Sequence, residues 1–253
     1  TLAIAIGDNL LSKPWVADLM RLNKSFVVKR NVSGPRALLA ATKLLSQYIR
    51  DSVSAARDPI WIAHREGRAK DGRDLTEPAV IKMLTLSRDR GEPPEAVLSD
   101  LNIVPLVISY EVDPCDALKA AELAAGEGYV KAEFEDVSSI ARGITGDKGC
   151  VHLHFGEPLP ADLSVEEVVA ALDQQMARHY RLYQTNRWAW EWLHGESVPA
   201  ALAFHEGSVT EQSFKARIDS APSEHRQWLL TMYANPVSRQ LALDITDKDR
   251  SCD

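Results

Sequence analysis

The chain lacks several features that would define its class at once. None of its apolar runs approaches the roughly 20 residues that a membrane-spanning helix needs, and the run from Ile103 to Ile108 is short and contains a proline. Its three cysteines are odd in number and far apart, which favours a reducing compartment and argues against a disulfide framework. It has no Gly-x-Ser-x-Gly elbow and no glycine-rich phosphate loop, which argues against a serine hydrolase and a phosphate-loop enzyme. The net charge of -7 excludes nucleic acid as a partner for the chain as a whole.

Strands and helices alternate in the first part of the chain. Short apolar runs predict the strands, and apolar residues at helical spacing predict the helices between them. The predicted strands cover residues 2–6, 25–29, 59–63 and 103–110, and the predicted helices cover residues 10–22, 36–53 and 78–90. This alternation predicts an α/β fold with a largely parallel sheet flanked by helices.

The pattern changes after Pro114. Residues 116–125 are typical of a short helix, residues 150–156 of a fifth strand, and residues 164–193 and 210–233 of two long helical stretches. We therefore predict an α/β domain over residues 1–160 and a helical C-terminal extension over residues 161–253. The end of the chain, from Asp244 to Asp253, is predicted to be frayed and solvated.

Basic charge is segregated within this acidic chain. From Leu19 to Arg50 there are seven basic residues and no acidic one, which leaves a net charge of -14 for the rest. Such segregation suits an anionic ligand or an anionic membrane surface. Solvated helix faces are the alternative interpretation, and we prefer it for Lys43 and Arg50. Lys29 and Arg30 instead follow an apolar strand, where α/β sheets have their ligand crevice.

A second concentration of charge follows the third predicted strand. Between residues 57 and 73 five bases stand against three acids, with glycine at positions 67 and 72. One interpretation is a surface turn with internal ion pairs, each worth about 0–1 kcal/mol. The other is a phosphate clamp, because arginine presents a planar fork to phosphate oxygens and glycine lets the backbone approach a ligand. The loop by itself leaves both interpretations open.

Four segments occur in the order found in one enzyme family. Phe26–Arg30 is an aromatic-aliphatic strand that ends in arginine, Arg65–Gly72 is a Glu-Gly-Arg loop, Val104–Glu111 is an apolar strand opened by proline, and Val151–Leu159 is a closing strand. In this order they resemble the motifs of the glycerolipid acyltransferases, which acylate glycerol-3-phosphate or lysophosphatidate. The resemblance covers roughly residues 1–160. The loop departs from the family pattern by one position near Gly67, and Ala63-His64 replaces the usual aromatic residue and proline.

The resemblance implies a reaction and a set of substrate-binding residues. A fatty acyl group would pass from acyl-CoA or acyl-carrier protein to glycerol-3-phosphate or 1-acylglycerol-3-phosphate in phospholipid synthesis, with no metal and no cofactor beyond the acyl donor. Lys29, Arg30, Arg65 and Arg68 would hold the phosphate. The other residues implied in substrate binding are Phe26, Glu66, Gly67, Pro105 and Tyr110. We expect a cytoplasmic protein that associates peripherally with the inner face of the membrane.

The catalytic block of that family, His-x-x-x-x-Asp, is not found in the chain. In the family its histidine takes the proton from the acceptor hydroxyl and its aspartate orients the imidazole. None of the seven histidines has an aspartate five positions later, and Thr1 opens directly into an apolar strand. We therefore expect that an N-terminal piece carrying this block is missing and that these residues alone turn over poorly.

Two further classes of function stay open at the level of the sequence. One is a non-catalytic module that binds anionic lipid or phosphate and lacks the base. The other is an α/β enzyme that acts on a different phosphorylated metabolite. His152 and His154 share a strand face and could begin a metal site, although packing is the preferred interpretation because no further ligands have a suitable spacing. Packing is likewise preferred for Trp188, Trp190 and Trp192.

Overall fold

The computed structural model describes residues 2–11, 17–18, 22–29, 32–54, 58–65, 69–130, 132 and 135–250. These residues belong to two compact units. The first comprises Thr1–Gly67, Leu75–Val104 and Glu157–Asp173, and the second comprises Arg68–Asp74, Pro105–Gly156 and Gln174–Asp253. The division predicted at residue 160 is a different partition of the chain and stays a prediction.

Strands and helices are both present in the described residues, so the predicted α/β class is confirmed. The strands are β1 (Ala3–Gly7), β2 (Ser25–Val28), β3 (Ile60–Trp61), β4 (Leu106–Tyr110) and β5 (Val151–Phe155). The α-helices are α1 (Pro35–Ser54), α2 (Pro78–Leu84), α3 (Pro94–Asp100), α4 (Asp116–Ala125), α5 (Glu135–Thr145), α6 (Val165–His179), α7 (Gln184–His194), α8 (Glu211–Ser220) and α9 (Ser223–Arg250). In this part of the chain no helix has the length and apolarity needed to cross a membrane.

A parallel three-stranded sheet with the order β2-β1-β3 forms the centre of the first unit. β1 pairs with β2 as far as Gly7 opposite Val28, and with β3 as far as Ile4 opposite Trp61. Helices α1, α2 and α3 each begin at a proline, which suits a first turn whose N–H groups have no helical partner. The buried core of this unit consists of Ile49, Ile81, Leu84, Leu98, Leu101, Val168 and Leu172.

The second unit contains an antiparallel pair of strands and most of the remaining helices. β4 pairs with β5 from Leu106 opposite Phe155 to Tyr110 opposite Val151. The fourth predicted strand therefore pairs antiparallel with the fifth, in a sheet separate from β1–β3. One buried cluster consists of Ala120, Ala189, Phe214, Ile218, Leu229, Met232 and Tyr233, and another of Leu182, Trp190, Ala234 and Val237.

Several predicted boundaries are wrong. The stretch 164–193 is two helices, because Leu182 and Gln184 exchange backbone hydrogen bonds with His205 and so interrupt the helical ladder. The stretch 210–233 is also two helices, separated at Ala221-Pro222. α9 continues to Arg250, through much of the end that was predicted to be frayed. Helices α3 and α5 have no counterpart in the prediction, and most of the helix predicted over residues 10–22 lies outside the described residues.

The tryptophans of α7 pack inside the second unit, as predicted. Trp188 and Trp192 lie 6.2 and 5.7 Å from Phe214, measured between ring centroids. Trp190 is 6% exposed and donates its indole N–H to the hydroxyl of Ser238. The packing interpretation is therefore confirmed for these three residues.

Candidate functional site

Two of the predicted phosphate ligands follow the outer strands of the parallel sheet. Lys29 comes directly after β2, and Arg65 comes four residues after the end of β3. The β2 pairing ends with Val28 opposite Gly7, so Lys29 comes one residue beyond the paired part of the middle strand. The β3 pairing ends with Trp61 opposite Ile4, and Arg65 lies in the loop that follows. Adjacent strands lie about 4.8 Å apart, so the two outer strands are separated by about 10 Å. Both bases therefore follow strands of one parallel sheet on its carboxyl side.

The charges at this edge are only partly compensated. Lys29 is exposed and Arg65 is half-buried. Among the described residues neither has an ion-pair partner. Asp8 follows the middle strand, so this part of the edge carries two cations and one carboxylate. The carboxyl edge of a parallel sheet is where α/β proteins bind ligands, and two bases there without an ion-pair partner in the described part of the chain favour an anionic ligand.

The start of the charged loop is fixed by hydrogen bonds to the residues before α2. The carbonyl of His64 accepts the N–H of Glu77 at 2.9 Å, and its Nδ1 lies 3.2 Å from the hydroxyl of Thr76. Thr76 is buried and donates its N–H to the carboxylate of Asp173 at 2.8 Å. These contacts hold the residue before Arg65 in a defined position, which a binding residue requires.

Phe26 supports the same edge from within the first unit. It packs against the buried core, and its ring centroid lies 5.0 Å from that of Tyr48 on α1. Its role is therefore to hold β2 on α1, which positions the Lys29 that follows the strand. The other four residues predicted on this side, Arg30, Glu66, Gly67 and Arg68, lie outside the described residues.

The end of the charged loop, residues 69–74, has a structural role within the second unit. Lys70 pairs with Glu122 of α4, and Arg73 pairs with Asp71. Asn235 of α9 donates to the carbonyl of Asp71 at 2.6 Å. The ion pair between Arg73 and Asp71 is internal to the loop, as the surface-turn interpretation expected, whereas Lys70 pairs outside the loop with α4.

Gly72 shows how closely this segment contacts α9. Its φ is +74°, and a Cβ at this position would lie 2.0 Å from the carbonyl oxygen of Met232. The glycine is required because the backbone here touches the backbone of a helix. The phosphate-clamp interpretation expected the glycines of this loop to let the backbone approach a ligand. At Gly72 the backbone instead approaches α9.

Pro105 and Tyr110, the predicted pocket wall, are at the two ends of β4 in the second unit. Pro105 is buried, and its carbonyl accepts the N–H of Gly156 at 2.9 Å, which fixes the end of β5. Tyr110 is half-buried, and burial together with the nearby Asp113 carboxylate raises its pKa. The structure thus gives both residues a place in the strand pair, and their contribution to a substrate pocket stays a prediction.

Glu111 is a buried carboxylate that the sequence did not single out. It is 1% exposed, and its oxygens accept the N–H groups of Cys150, Ser208 and Val209 at 2.7, 3.0 and 2.7 Å. Burial alone would raise the pKa of Glu111, but these N–H donors and the Ser208 hydroxyl outweigh it and lower the pKa overall. The carboxylate therefore joins β4, β5 and the loop before α8 as a structural anion. An acid directly after an apolar strand is the only signal of it in the sequence.

A second buried carboxylate, Asp116 at the start of α4, is held by Arg217 of α8. The guanidinium makes two bonds to the carboxylate, of 2.5 and 2.8 Å, and the hydroxyl of Tyr233 donates to it at 2.7 Å. Burial and the adjacent Asp116 raise the pKa of Tyr233 well above its usual value. An open cavity of about 280 Å³ beside this pair is lined by Asp116, Arg142, Arg217 and His225 among others. Since Arg217 is already neutralised, the network is a structural element of the second unit.

The histidines of β5 pack against other side chains. The ring of His154 stacks on that of His179 with centroids 4.1 Å apart, and His152 lies 6.3 Å from His154. In the described part of the chain no group of three or more histidine, cysteine or acidic residues could hold a metal ion. Cys115 and Cys150 are both free thiols.

Comparisons of the chain with protein-family models, with curated proteins and with solved structures find no match.

Proposed function

We propose that this chain carries the acceptor-binding part of an acyltransferase of the glycerolipid type. The intact enzyme would transfer a fatty acyl group from acyl-CoA or acyl-carrier protein to glycerol-3-phosphate or 1-acylglycerol-3-phosphate. The observation that carries the proposal is that Lys29 and Arg65, which have no ion-pair partner among the residues that the structure describes, both follow strands of one parallel sheet. They occur where the resemblance to the family requires phosphate ligands.

The proposed acceptor site extends beyond these two cations. Arg30 and Arg68 would complete the set of bases around the phosphate, and Glu66 would orient an arginine or accept a hydroxyl of the acceptor. Arginine suits this role because its planar fork matches two phosphate oxygens at once. The family also implies a largely parallel sheet flanked by helices, which the parallel β1–β3 strands support.

In the proposed reaction the base takes the proton of the acceptor hydroxyl, and the oxygen attacks the thioester carbonyl. A new C–O ester bond forms, the C–S bond breaks, and the thiolate leaves and takes up the proton. The residues of this chain would hold the phosphate so that the hydroxyl lies within reach of the thioester, which lowers the entropic cost of the encounter. The base itself would come from a His-x-x-x-x-Asp block, which these 253 residues do not contain.

Binding of the acceptor tests the proposal directly. Calorimetric titration of the chain with glycerol-3-phosphate is expected to show binding, and glycerol at the same concentrations is expected to show none. A variant with both Lys29→Ala and Arg65→Ala is expected to bind at least tenfold more weakly, since each charge-assisted bond is worth about 1.5–3 kcal/mol. Lys82→Ala with Arg90→Ala, which also removes two bases from the first unit, is the matched control. Equal affinities of the two double variants would overturn the proposal.

Catalysis separates the enzyme from the alternative, a non-catalytic phosphate-binding or anionic-lipid-binding module that lacks the base. We expect the 253 residues alone to release no free thiol from acyl-CoA in the presence of acceptor. Codons for a His-x-x-x-x-Asp block upstream of Thr1 would support the enzyme, and a start codon at that point would support the module. Thiol release by these residues alone would overturn the assignment of the base to that block.

A further inference from the structure

Helix α1 has an apolar stripe that the first unit does not cover. Ala37, Ala41, Leu44 and Tyr48 recur at intervals of four, three and four residues, which places them on one helix face. Leu44 is 69% exposed and Tyr48 is 46% exposed. Of the buried residues of the helix, Ser46 lies on the opposite side, and Ile49 lies about 100° round the helix from Tyr48. Two exposed large apolar side chains on one helix face, beside exposed alanine, indicate a surface that contacts something else.

The charges around the stripe define what it contacts. Arg36 and Lys43, seven residues apart, are both exposed along one flank, and Asp51 ends the stripe near the end of the helix. The helix as far as Arg50 and the strand before it belong to the segment with seven bases and no acid, in a chain whose remainder has a net charge of -14. The exposed apolar residues of β5, Val151 and Leu153, have no basic residue next to them in the sequence. The α1 surface, in contrast, combines exposed apolar side chains with the bases Arg36 and Lys43.

We propose that this face of α1 docks on an anionic lipid bilayer. Leu44 and Tyr48 would enter the boundary between headgroups and acyl chains, and Arg36 and Lys43 would lie at the level of the lipid phosphates. An apolar stripe flanked by bases is the pattern of helices that lie in a membrane interface, and tyrosine is favoured at that depth. The inner side of the Tyr48 ring contacts Phe26, so the residue is held by the first unit while its outer part is exposed.

Docking through α1 would bring the acceptor-binding edge to its lipid substrate, and this docking role rests on the proposed function. The two can still fail separately. The Lys29→Ala, Arg65→Ala variant is expected to keep its vesicle binding. A Leu44→Glu variant is expected to keep its affinity for glycerol-3-phosphate in solution. The opposite pattern, loss of vesicle binding only in the first variant, would overturn the docking face.

Flotation with lipid vesicles tests the docking face. The chain is expected to float with vesicles of phosphatidylcholine mixed with phosphatidylglycerol, and much less with phosphatidylcholine alone. Leu44→Glu is expected to lower the partition coefficient about tenfold, because one buried leucine is lost from the interface. Lys43→Gln is expected to lower it about fivefold, which corresponds to one basic residue at an anionic surface.

Two matched controls lie elsewhere on the chain. Val130→Glu makes the same kind of change at a side chain that is 87% exposed in the second unit. Arg88→Gln removes a base that lies away from the docking face. Arg88 follows Ser87, and the N–H of Ser87 donates to the hydroxyl of Ser46 on the opposite side of α1. Both are expected to bind vesicles as the unaltered chain does. Absence of binding to anionic vesicles would overturn the proposal. It would also be overturned if sedimentation showed a dimer that Leu44→Glu abolishes, because a second copy of the chain would then cover this face.

Discussion

Glu111→Gln is a sharp test of how the second unit is held together. One carboxylate oxygen, Oε2, accepts the N–H groups of Cys150 and Ser208 and the hydroxyl of Ser208, and the other, Oε1, accepts the N–H of Val209. Glutamine keeps the shape but has only one acceptor oxygen. If that oxygen takes the Oε2 position, three bonds survive without the charge, and the new NH₂ group faces the N–H of Val209.

The size of the effect follows from these contacts. A hydrogen bond to a charged group contributes about 1.5–3 kcal/mol and a neutral one about 0.5–1.5, so three surviving bonds lose roughly 1 kcal/mol each. The orphaned N–H of Val209 costs about 1–3 kcal/mol more. An amide is easier to bury than a carboxylate, which offsets part of this loss. We therefore expect the free energy of unfolding to fall by about 2–4 kcal/mol.

Urea unfolding followed by tryptophan fluorescence measures this loss. Four of the six tryptophans, at positions 188, 190, 192 and 228, belong to the second unit, which also contains Glu111. With an m-value of about 2–3 kcal/mol per molar urea, the midpoint should fall by about 1 M. Glu127→Gln makes the same chemical change at an exposed position of the same unit, where we expect less than about 0.5 kcal/mol. Equal midpoints for the two variants would refute the structural role of the Glu111 carboxylate.

The pH dependence provides an independent check of the same carboxylate. Its pKa is lowered in the folded protein, so the folded state binds fewer protons than the unfolded state, whose glutamate pKa is about 4.3. The stabilisation is therefore present above that pH and is lost as the pH falls through the folded pKa. We expect the difference between the unaltered chain and Glu111→Gln to be constant above about pH 5 and to narrow below about pH 4. A difference that widens in acid would contradict the sign.

Two further substitutions test other close contacts of the second unit. Gly72→Ala should cost more than about 2 kcal/mol in thermal unfolding, because its Cβ would lie 2.0 Å from the carbonyl oxygen of Met232. Gly34 also has a positive φ, but open space surrounds it. A similar loss of stability in Gly34→Ala would mean that backbone strain, and not the contact with Met232, causes the loss. Arg217→Met should cost about 3–5 kcal/mol in urea unfolding, and more than Asp116→Asn, because it leaves a carboxylate that is 3% exposed without its cation. In Asp116→Asn the residue left without its partner is Arg217, which is 34% exposed and can be rehydrated. A larger loss of stability for Asp116→Asn than for Arg217→Met would therefore contradict the expectation.

Local pattern predicted the elements whose boundaries depend on local chemistry. The apolar runs correctly predicted β1, β2, β4 and β5, and the helical spacing predicted α1. The break between α6 and α7 escaped prediction because it depends on contacts with distant residues. His205 exchanges backbone bonds with Leu182 and Gln184, and the side-chain amide of Asn186 donates to the carbonyl of Tyr233 at 2.9 Å. Helical periodicity carries no information about such partners.

The same limit applies to the candidate site, where charge density alone could not separate structural from available cations. Lys70 and Arg73 belong to the same basic cluster as Arg65, yet they are paired, and the partner of Lys70 is Glu122 of α4, 52 residues further along the chain. Lys29 and Arg65 have no such partner among the described residues, and both follow strands of one parallel sheet. Strand order, which the sequence does not encode locally, therefore decides which bases are left to bind an anion. This selection leads to a definite ranking: removing Lys29 or Arg65 should weaken phosphate binding, whereas removing Arg73 should leave it unchanged.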